Sequence, residues 1–355
     1  MVLTQGMAVL ALGAVGGYAL HRGLHHAFRA PRLAGTDDPA DHGVQAQGVH
    51  LPTANDKQMF GWYCPPAGRV RGIPAPGLVA IHGWGGNADG LLPLARVLQA
   101  AGYGLLLLDA RCHGRSDDDS FASLPRFAED LSHGLDWLGT RPDIDPARLA
   151  VMGHSVGAGA ALLTGSRRRD LAAVVSLAAF AHPEEVMRRT LSAWRVPYRP
   201  LGWATNRYVE RVIGHRFRKI APLRTVTRQH APVLLMHGSR DTVVPIDDME
   251  RLRRAAVAAG RTVESVPLPG ATHEGRDADS GDSLMDQAGR LIIAFLGRHL
   301  PAPGAAPALP APSRGLPAVD GSVTPGADTD DLDDAATAPR GISAWPPARH
   351  TPGTA

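Results

Sequence analysis

The stretch 149–163, Leu-Ala-Val-Met-Gly-His-Ser-Val-Gly-Ala-Gly-Ala-Ala-Leu-Leu, narrows the folds open to this chain more than any other. Residues 149–152 are a short apolar run of strand type, and 158–163 are small, apolar and helix-forming. Between them lies the pentapeptide Gly153-His154-Ser155-Val156-Gly157, a G-x-S-x-G. A serine on so sharp a strand-to-helix turn needs small neighbours, because any Cβ at 153 or 157 would collide. Such a turn lifts the hydroxyl above a sheet. It also aims the first amides of the following helix at negative charge developing there. A chance match in a chain with 40 glycines is the bland alternative, and the strand and helix on either side argue against it.

The flanking sequence repeats the same alternation. Residues 44–51 and 58–64 read as strands around Asn55-Asp56, a hairpin signal. Buried strands are expected at 77–82, 103–109 and 232–237, and further strands at 171–179 and 262–267. Helices are expected at 87–101, 124–138, 247–259 and 284–300. Strands alternating with helices imply a mostly parallel sheet covered on both faces, with ligands at the C-terminal strand ends. At 355 residues, 44% hydrophobic and 20% charged, the chain can bury one large core without a second domain. Cys64 and Cys112 are too few for a disulfide framework, and the 16 histidines show no metal-ligand spacing. Neither a metal nor a cofactor is expected, and no nucleic-acid partner.

Three segments depart from the pattern. Residues 1–20 carry no charged side chain and are mostly apolar, with Arg22, Arg29 and Arg32 following them. A signal peptide places its charge before the apolar run, so 1–32 reads as a membrane anchor with the globular part on the cytoplasmic side. A cleaved or misread start is the alternative, leaving a soluble cytoplasmic or an exported protein. Gly13 and Gly17 form a weak G-x-x-x-G pairing signal. Residues 33–43 read as a polar linker and 44–300 as the catalytic domain. Between 181 and 229 the alternation stops. This insert is helical in character and would act as a lid over the strand ends. Residues 182–224 hold ten Arg or Lys against three Glu; this is either a solvated face or a basic surface for anionic lipid or an acidic substrate. Finally, 301–355 contain 11 of the 30 prolines and an acidic cluster at 328–334, the composition of a disordered tail.

A serine hydroxyl needs a base, an acid to orient that base, and oxyanion donors. Asp241 follows the buried strand 232–237 in a loop and is the candidate acid; the alternative is an aspartate that only shapes its turn. His273, in Pro269-Gly270-Ala271-Thr272-His273-Glu274, follows the last strand and is the candidate base; the alternative is one more surface histidine. The backbone N–H groups of Val156 and of Trp84, in His82-Gly83-Trp84-Gly85-Gly86-Asn87, are the candidate oxyanion hole. A plain turn capped by Asn87 is the bland reading of that loop.

Taken together, H-G-W-G-G (82–86), D-A-R-C-H-G-R-S (109–116), G-H-S-V-G (153–157), H-G-S-R-D-x-V-V-P (237–245) and G-A-T-H-E (270–274) resemble the α/β-hydrolase superfamily, of the bacterial lysophospholipase, esterase and serine-aminopeptidase-like type. The resemblance covers about residues 44–300. It implies an eight-stranded mostly parallel sheet, a helical lid after the sixth strand, and a triad in the chain order Ser155, Asp241, His273. Cys112 departs from the pattern, standing where many relatives carry Gly or Asn, and raises the question of thiol sensitivity. The expected activity is hydrolysis of a carboxylic ester, of a small molecule or a lipid, through an acyl-enzyme. Amide, peptide or thioester hydrolysis, acyl transfer, and a non-catalytic membrane-tethered binding module are the alternatives. Nothing in the sequence sets an oligomeric state.

Overall fold

In the computed structural model, which describes residues 18, 21–68, 72–280 and 283–302, the strands assemble into one eight-stranded sheet. Its elements are β1 (Gln47–Thr53), β2 (Lys57–Cys64), β3 (Ala75–Ile81), β4 (Gly104–Leu108), β5 (Ile144–His154), β6 (Leu171–Leu177), β7 (Val233–Gly238) and β8 (Val263–Leu268). The spatial order is β1-β2-β4-β3-β5-β6-β7-β8. β2 runs antiparallel to both its neighbours, and every pairing from β4 to β8 is parallel. Thr53 pairs with Lys57, so the β1–β2 hairpin turns through the three residues 54–56, with Asn55 and Asp56 both at positive φ (61° and 54°).

Period-two patterning divides the core between the two faces of the sheet. Leu106 and Leu108 of β4, with Val79 and Ile81 of β3, pack under α2 (Leu124–Leu138) and α3 (Val156–Arg167). Leu105 and Leu107, with Leu78 and Ala80, pack under α1 (Leu92–Ala100) and α7 (Met285–His299). Within α2, Phe127, Leu131 and Leu135 recur every four residues on the buried face, each contributing about 1.5–3 kcal/mol through burial.

The expected helix 87–101 divides into a 3-10 turn, Ala88–Leu91, and α1. Asn87 Oδ1 accepts the Gly90 N–H (3.3 Å), and Pro93 is tolerated only in a first turn, so the α-helix starts at Leu92. β5 begins five residues earlier than 149. Ala75 pairs with Ile144 but Gly77 with Leu149, so 145–148 form an irregularity inside the strand. Residues 33–43, expected as a linker, hold a 3-10 turn, Pro39–His42, capped by Asp38; the Asp37 N–H donates to Asp89 (3.1 Å).

Between β6 and β7 the chain is helical, as expected: α4 (Pro183–Ala193), a π-type turn at Tyr198–Gly202, α5 (Trp203–Ile213) and shorter turns. This insert is fastened to α6 (Asp247–Ala258). Arg251 makes a two-pronged pair with Glu185 (2.7 and 2.8 Å), and Asp248 accepts the Ala181 N–H (3.1 Å). On the opposite flank the buried Arg111 ties three elements together. Its Nε donates to Asp130 of α2 (2.7 Å) and Nη1 to Asp119 (3.2 Å), while Nη2 pairs with Glu129; Thr53 at the end of β1 also donates to Asp130 (3.0 Å). No helix among the described residues is long and apolar enough to cross a membrane. The anchor expected over residues 1–20 lies outside the described residues, apart from Tyr18, as does the tail beyond 302.

Candidate active site

The parallel strands end on one edge, and the four loops leaving β3, β5, β7 and β8 converge there. Ser155 follows β5 directly, with φ 56° and ψ −117°, a strained conformation held by its surroundings. The Ser155 N–H donates to the Leu177 carbonyl at the end of β6 (2.9 Å). A Cβ on Gly153 would lie 1.9 Å from the Gly157 carbonyl oxygen, and one on Gly157 would lie 2.5 Å from that of His82. Both glycines are therefore obligatory by close approach rather than by φ.

His273 bridges the other two side chains. Its Nε2 stands 2.9 Å from Ser155 Oγ and its Nδ1 2.7 Å from Asp241 Oδ2. A carboxylate only accepts, so the proton sits on Nδ1 and Nε2 is free to take the serine proton. The Asp241 side chain is 0% exposed. Its Oδ1 accepts the N–H groups of Val243 and Val244, both at 2.8 Å. Burial by itself would raise this carboxyl, but the hydrogen bonds from His237 and His273 outweigh it and hold the group well below the usual carboxylate range.

Two further histidines complete the site, and the sequence gives little sign of either. His237 Nε2 lies 2.9 Å from the Val244 carbonyl and 3.2 Å from Asp241 Oδ2. Since a carbonyl only accepts, Nε2 carries the proton and is shared between them, placing Asp241 between two imidazoles. His154, the first x of G-x-S-x-G, donates from Nε2 to the carbonyl of His273 itself (2.7 Å). Burial, and then the neighbouring His273, push its pKa down to about 4, so the ring is neutral. The G-x-S-x-G pattern leaves position 154 unspecified, and its partner is 119 residues away.

The loop after β3 borders Ser155. A Cβ on Gly83 would lie 3.1 Å from Ser155 Cβ, which places the Trp84 peptide beside the serine. His82 secures this loop: Nδ1 donates to the Gly83 carbonyl (2.6 Å) and Nε2 accepts the Ala110 N–H (3.1 Å). Burial, with His113 beside it, drives the His82 pKa down to about 3. On the other side, the first i→i−4 bond of α3 runs from Gly159 to Ser155 (3.1 Å). The amides of Val156, Gly157 and Ala158 therefore precede the intrahelical ladder. Cys112 has φ 66°, accepts the Asp119 N–H at Sγ (3.2 Å), and has its thiol pKa raised mainly by burial, the marks of a structural loop position. No cluster of His, Cys, Asp and Glu suited to a metal occurs among the described residues. A surface groove lined by Gln45, Pro65, Arg96 and Arg290 contains none of the residues above.

This sheet order, with a serine in a strained elbow and an aspartate and a histidine in the loops after later strands, is the α/β-hydrolase fold. Within it, residues 126–301 match the prolyl oligopeptidase family. An uncharacterized protein of Mycobacterium tuberculosis, Rv2307c, is 29% identical over 244 residues, 69% of this chain and 78% of that one. Among solved structures, the Pyrococcus furiosus esterase Pf2001 superposes with a TM-score of 0.58 at 20% identity, covering 77% of this chain and 97% of that one. A puromycin-hydrolyzing peptidase of M. tuberculosis also gives 0.58, at 22% identity, over 76% of this chain and 41% of that longer one.

Proposed function

We propose that the protein hydrolyses a carboxylic ester through an acyl-enzyme, with Ser155 as nucleophile, His273 as base and Asp241 as the group that orients it. The observation that carries this reading is the unbroken chain Ser155 Oγ–His273–Asp241, at 2.9 and 2.7 Å, with the serine strained at φ 56°. Ser155 Oγ attacks the acyl carbon as its proton passes to His273 Nε2, and the buried Asp241 carboxylate stabilises the imidazolium. The amides of Val156 and Trp84 receive the oxyanion, an interaction of the kind worth about 3–4 kcal/mol per donor. Collapse expels the alkoxide, which takes the proton from His273. Water then repeats the sequence on the acyl-serine, releasing the carboxylic acid and restoring the enzyme.

Ser155→Ala is expected to abolish turnover of short p-nitrophenyl esters with the melting temperature unchanged; full activity in that variant refutes the assignment. Amide or peptide hydrolysis on the same residues is the second reading, favoured by the prolyl oligopeptidase match over 126–301. Rates on matched ester and anilide substrates, with Ser155→Ala as the blank, decide between them. The insert between β6 and β7 serves on this reading as the lid that selects the acyl group.

A further inference from the structure

Residues 21–33 form a strap across the domain, helical over 21–27. At one end the strap meets the insert: the Tyr208 hydroxyl hydrogen-bonds His21, and the Phe28 ring lies 5.5 Å from that of Trp194. At the other end it reaches the loops around Ser155. A Cβ on Gly85 would lie 2.7 Å from Pro31. Arg32 donates to the carbonyls of Gly114 (3.1 Å) and Ser116 (2.9 Å) and pairs with Asp118 (2.7 Å). One segment therefore links the insert to the loop that carries Trp84.

Where the strap meets the insert, the surface is unusual for water. Trp194 is 46% exposed, Leu201 56% and Trp203 52%, and Tyr18, ahead of the strap in sequence, is 65% exposed. Arg22, Arg195, Arg207 and Arg211 are exposed beside them in sequence. Of the insert's three acids, Glu210 offsets one of these arginines, Arg207, and the other two are engaged elsewhere. Glu184 is engaged by Tyr198 and Glu185 by Arg251, while Glu210 is shared by Arg207, Arg216 and the Phe217 N–H. The chain leads into the strap from residues 1–17, which carry no charged side chain. Exposed tryptophans set among arginines match the boundary between headgroups and acyl chains. An acidic protein would satisfy the arginines, but it would not account for the uncharged approach.

We propose that this face docks on an anionic phospholipid bilayer. Trp194, Leu201 and Trp203 enter the interface, the arginines lie on lipid phosphates, and the strap links that surface to the site. The corollary, that the substrate is an acyl ester presented by the membrane, rests on the ester-hydrolase reading; the docking does not.

The test is flotation of the full-length protein with vesicles of equimolar phosphatidylglycerol and phosphatidylcholine, against phosphatidylcholine alone. The expected result is preferential binding to the anionic vesicles, weakened at least about tenfold in Trp194→Ala/Trp203→Ala and in Arg195→Glu/Arg211→Glu. Both variants should melt as wild type, which separates lost docking from lost folding. Equal flotation on both vesicle types, or variants that float like wild type, overturns the docking. Loss of ester turnover in Ser155→Ala bears only on the hydrolase reading. If that variant stays active while flotation is intact, the hydrolase reading fails and the docking stands.

Discussion

Replacing Asp241 by Asn tests the site more sharply than removing the side chain, because the structure dictates how the amide must sit. Oδ1 accepts two backbone N–H groups, from Val243 and Val244, each at 2.8 Å. Turning the amide so that its NH2 faced these donors would set donor against donor and lose both hydrogen bonds, at about 0.5–1.5 kcal/mol each. The Asn oxygen therefore stays in the Oδ1 position and its NH2 points at His273 Nδ1, 2.7 Å from the original Oδ2. An NH2 there can only donate, so Nδ1 must accept and the ring proton moves to Nε2. The imidazole then presents an N–H to Ser155 Oγ and has no lone pair for the serine proton. This change of tautomer costs about 10⁴-fold in kcat in serine triads, or about 5.4 kcal/mol at 1.36 kcal/mol per decade. The assay is p-nitrophenyl acetate turnover, with thermal melting as the check on folding. A folded Asp241→Asn protein within tenfold of the wild-type rate would refute the tautomer argument and the place of Asp241 in it.

Three further perturbations follow from the geometry. Arg111→Met strands the buried Asp130, whose carboxyl is raised mainly by burial; urea unfolding should show a loss of about 3–5 kcal/mol, largely recovered in Arg111→Met/Asp130→Leu. A loss below about 1 kcal/mol would show the network to be dispensable. His154→Ala removes the donor to the His273 carbonyl (2.7 Å); at about 0.5–1.5 kcal/mol for such a bond, kcat should fall roughly two- to tenfold, with recovery in His154→Gln. A wild-type rate in His154→Ala would remove its positioning role. The third concerns pH. His82 and His154 have folded pKa values of about 3 and about 4, below the unfolded value of about 6.5. Above pH 6.5 both are neutral in either state and contribute no pH dependence. As pH falls below 6.5 the unfolded chain takes up protons first, and stability is lost down to the folded pKa values, by about 2 kcal/mol per histidine at pH 5. Urea unfolding at pH 7 and pH 5 measures this, and equal stabilities would mean that these rings are protonated in the folded state.

Most strands and two of the triad candidates were legible in the sequence for one physical reason. Strands buried on both faces read as unbroken apolar runs, and Ser155 and Asp241 stand just past the ends of two such runs; His273 follows β8, an edge strand with Glu264 and Ser265 in it, and was legible from its turn-rich loop instead. Helix α2 was legible at both ends because Pro125 opens it and Leu138 closes its buried stripe. The first residues of β5 were not, since Asp145-Pro146-Ala147-Arg148 has the composition of a turn and becomes strand only through the pairing of Ile144 with Ala75. His154 and His237 escaped notice because their partners are a carbonyl 119 residues away and a carboxylate already assigned to another ring. The contacts of the strap were hidden for a similar reason: a sequence shows that Arg32 is basic, but not that two carbonyls of a loop more than 80 residues away await it.

The spacing of the site along the chain also matters while the protein is being made. Ser155 and His273 are 118 residues apart, whereas the elbow that strains the serine is built from β5, α3 and β6, all within 144–177. At about 5–20 residues per second of synthesis, Ser155 is translated roughly 6–24 seconds before His273. Throughout that interval the serine has no proton acceptor, so on the triad reading the nascent chain is chemically silent. On the same reading, hydrolytic competence arrives only when β8 docks at the sheet edge, which ties the onset of activity to the completion of the fold.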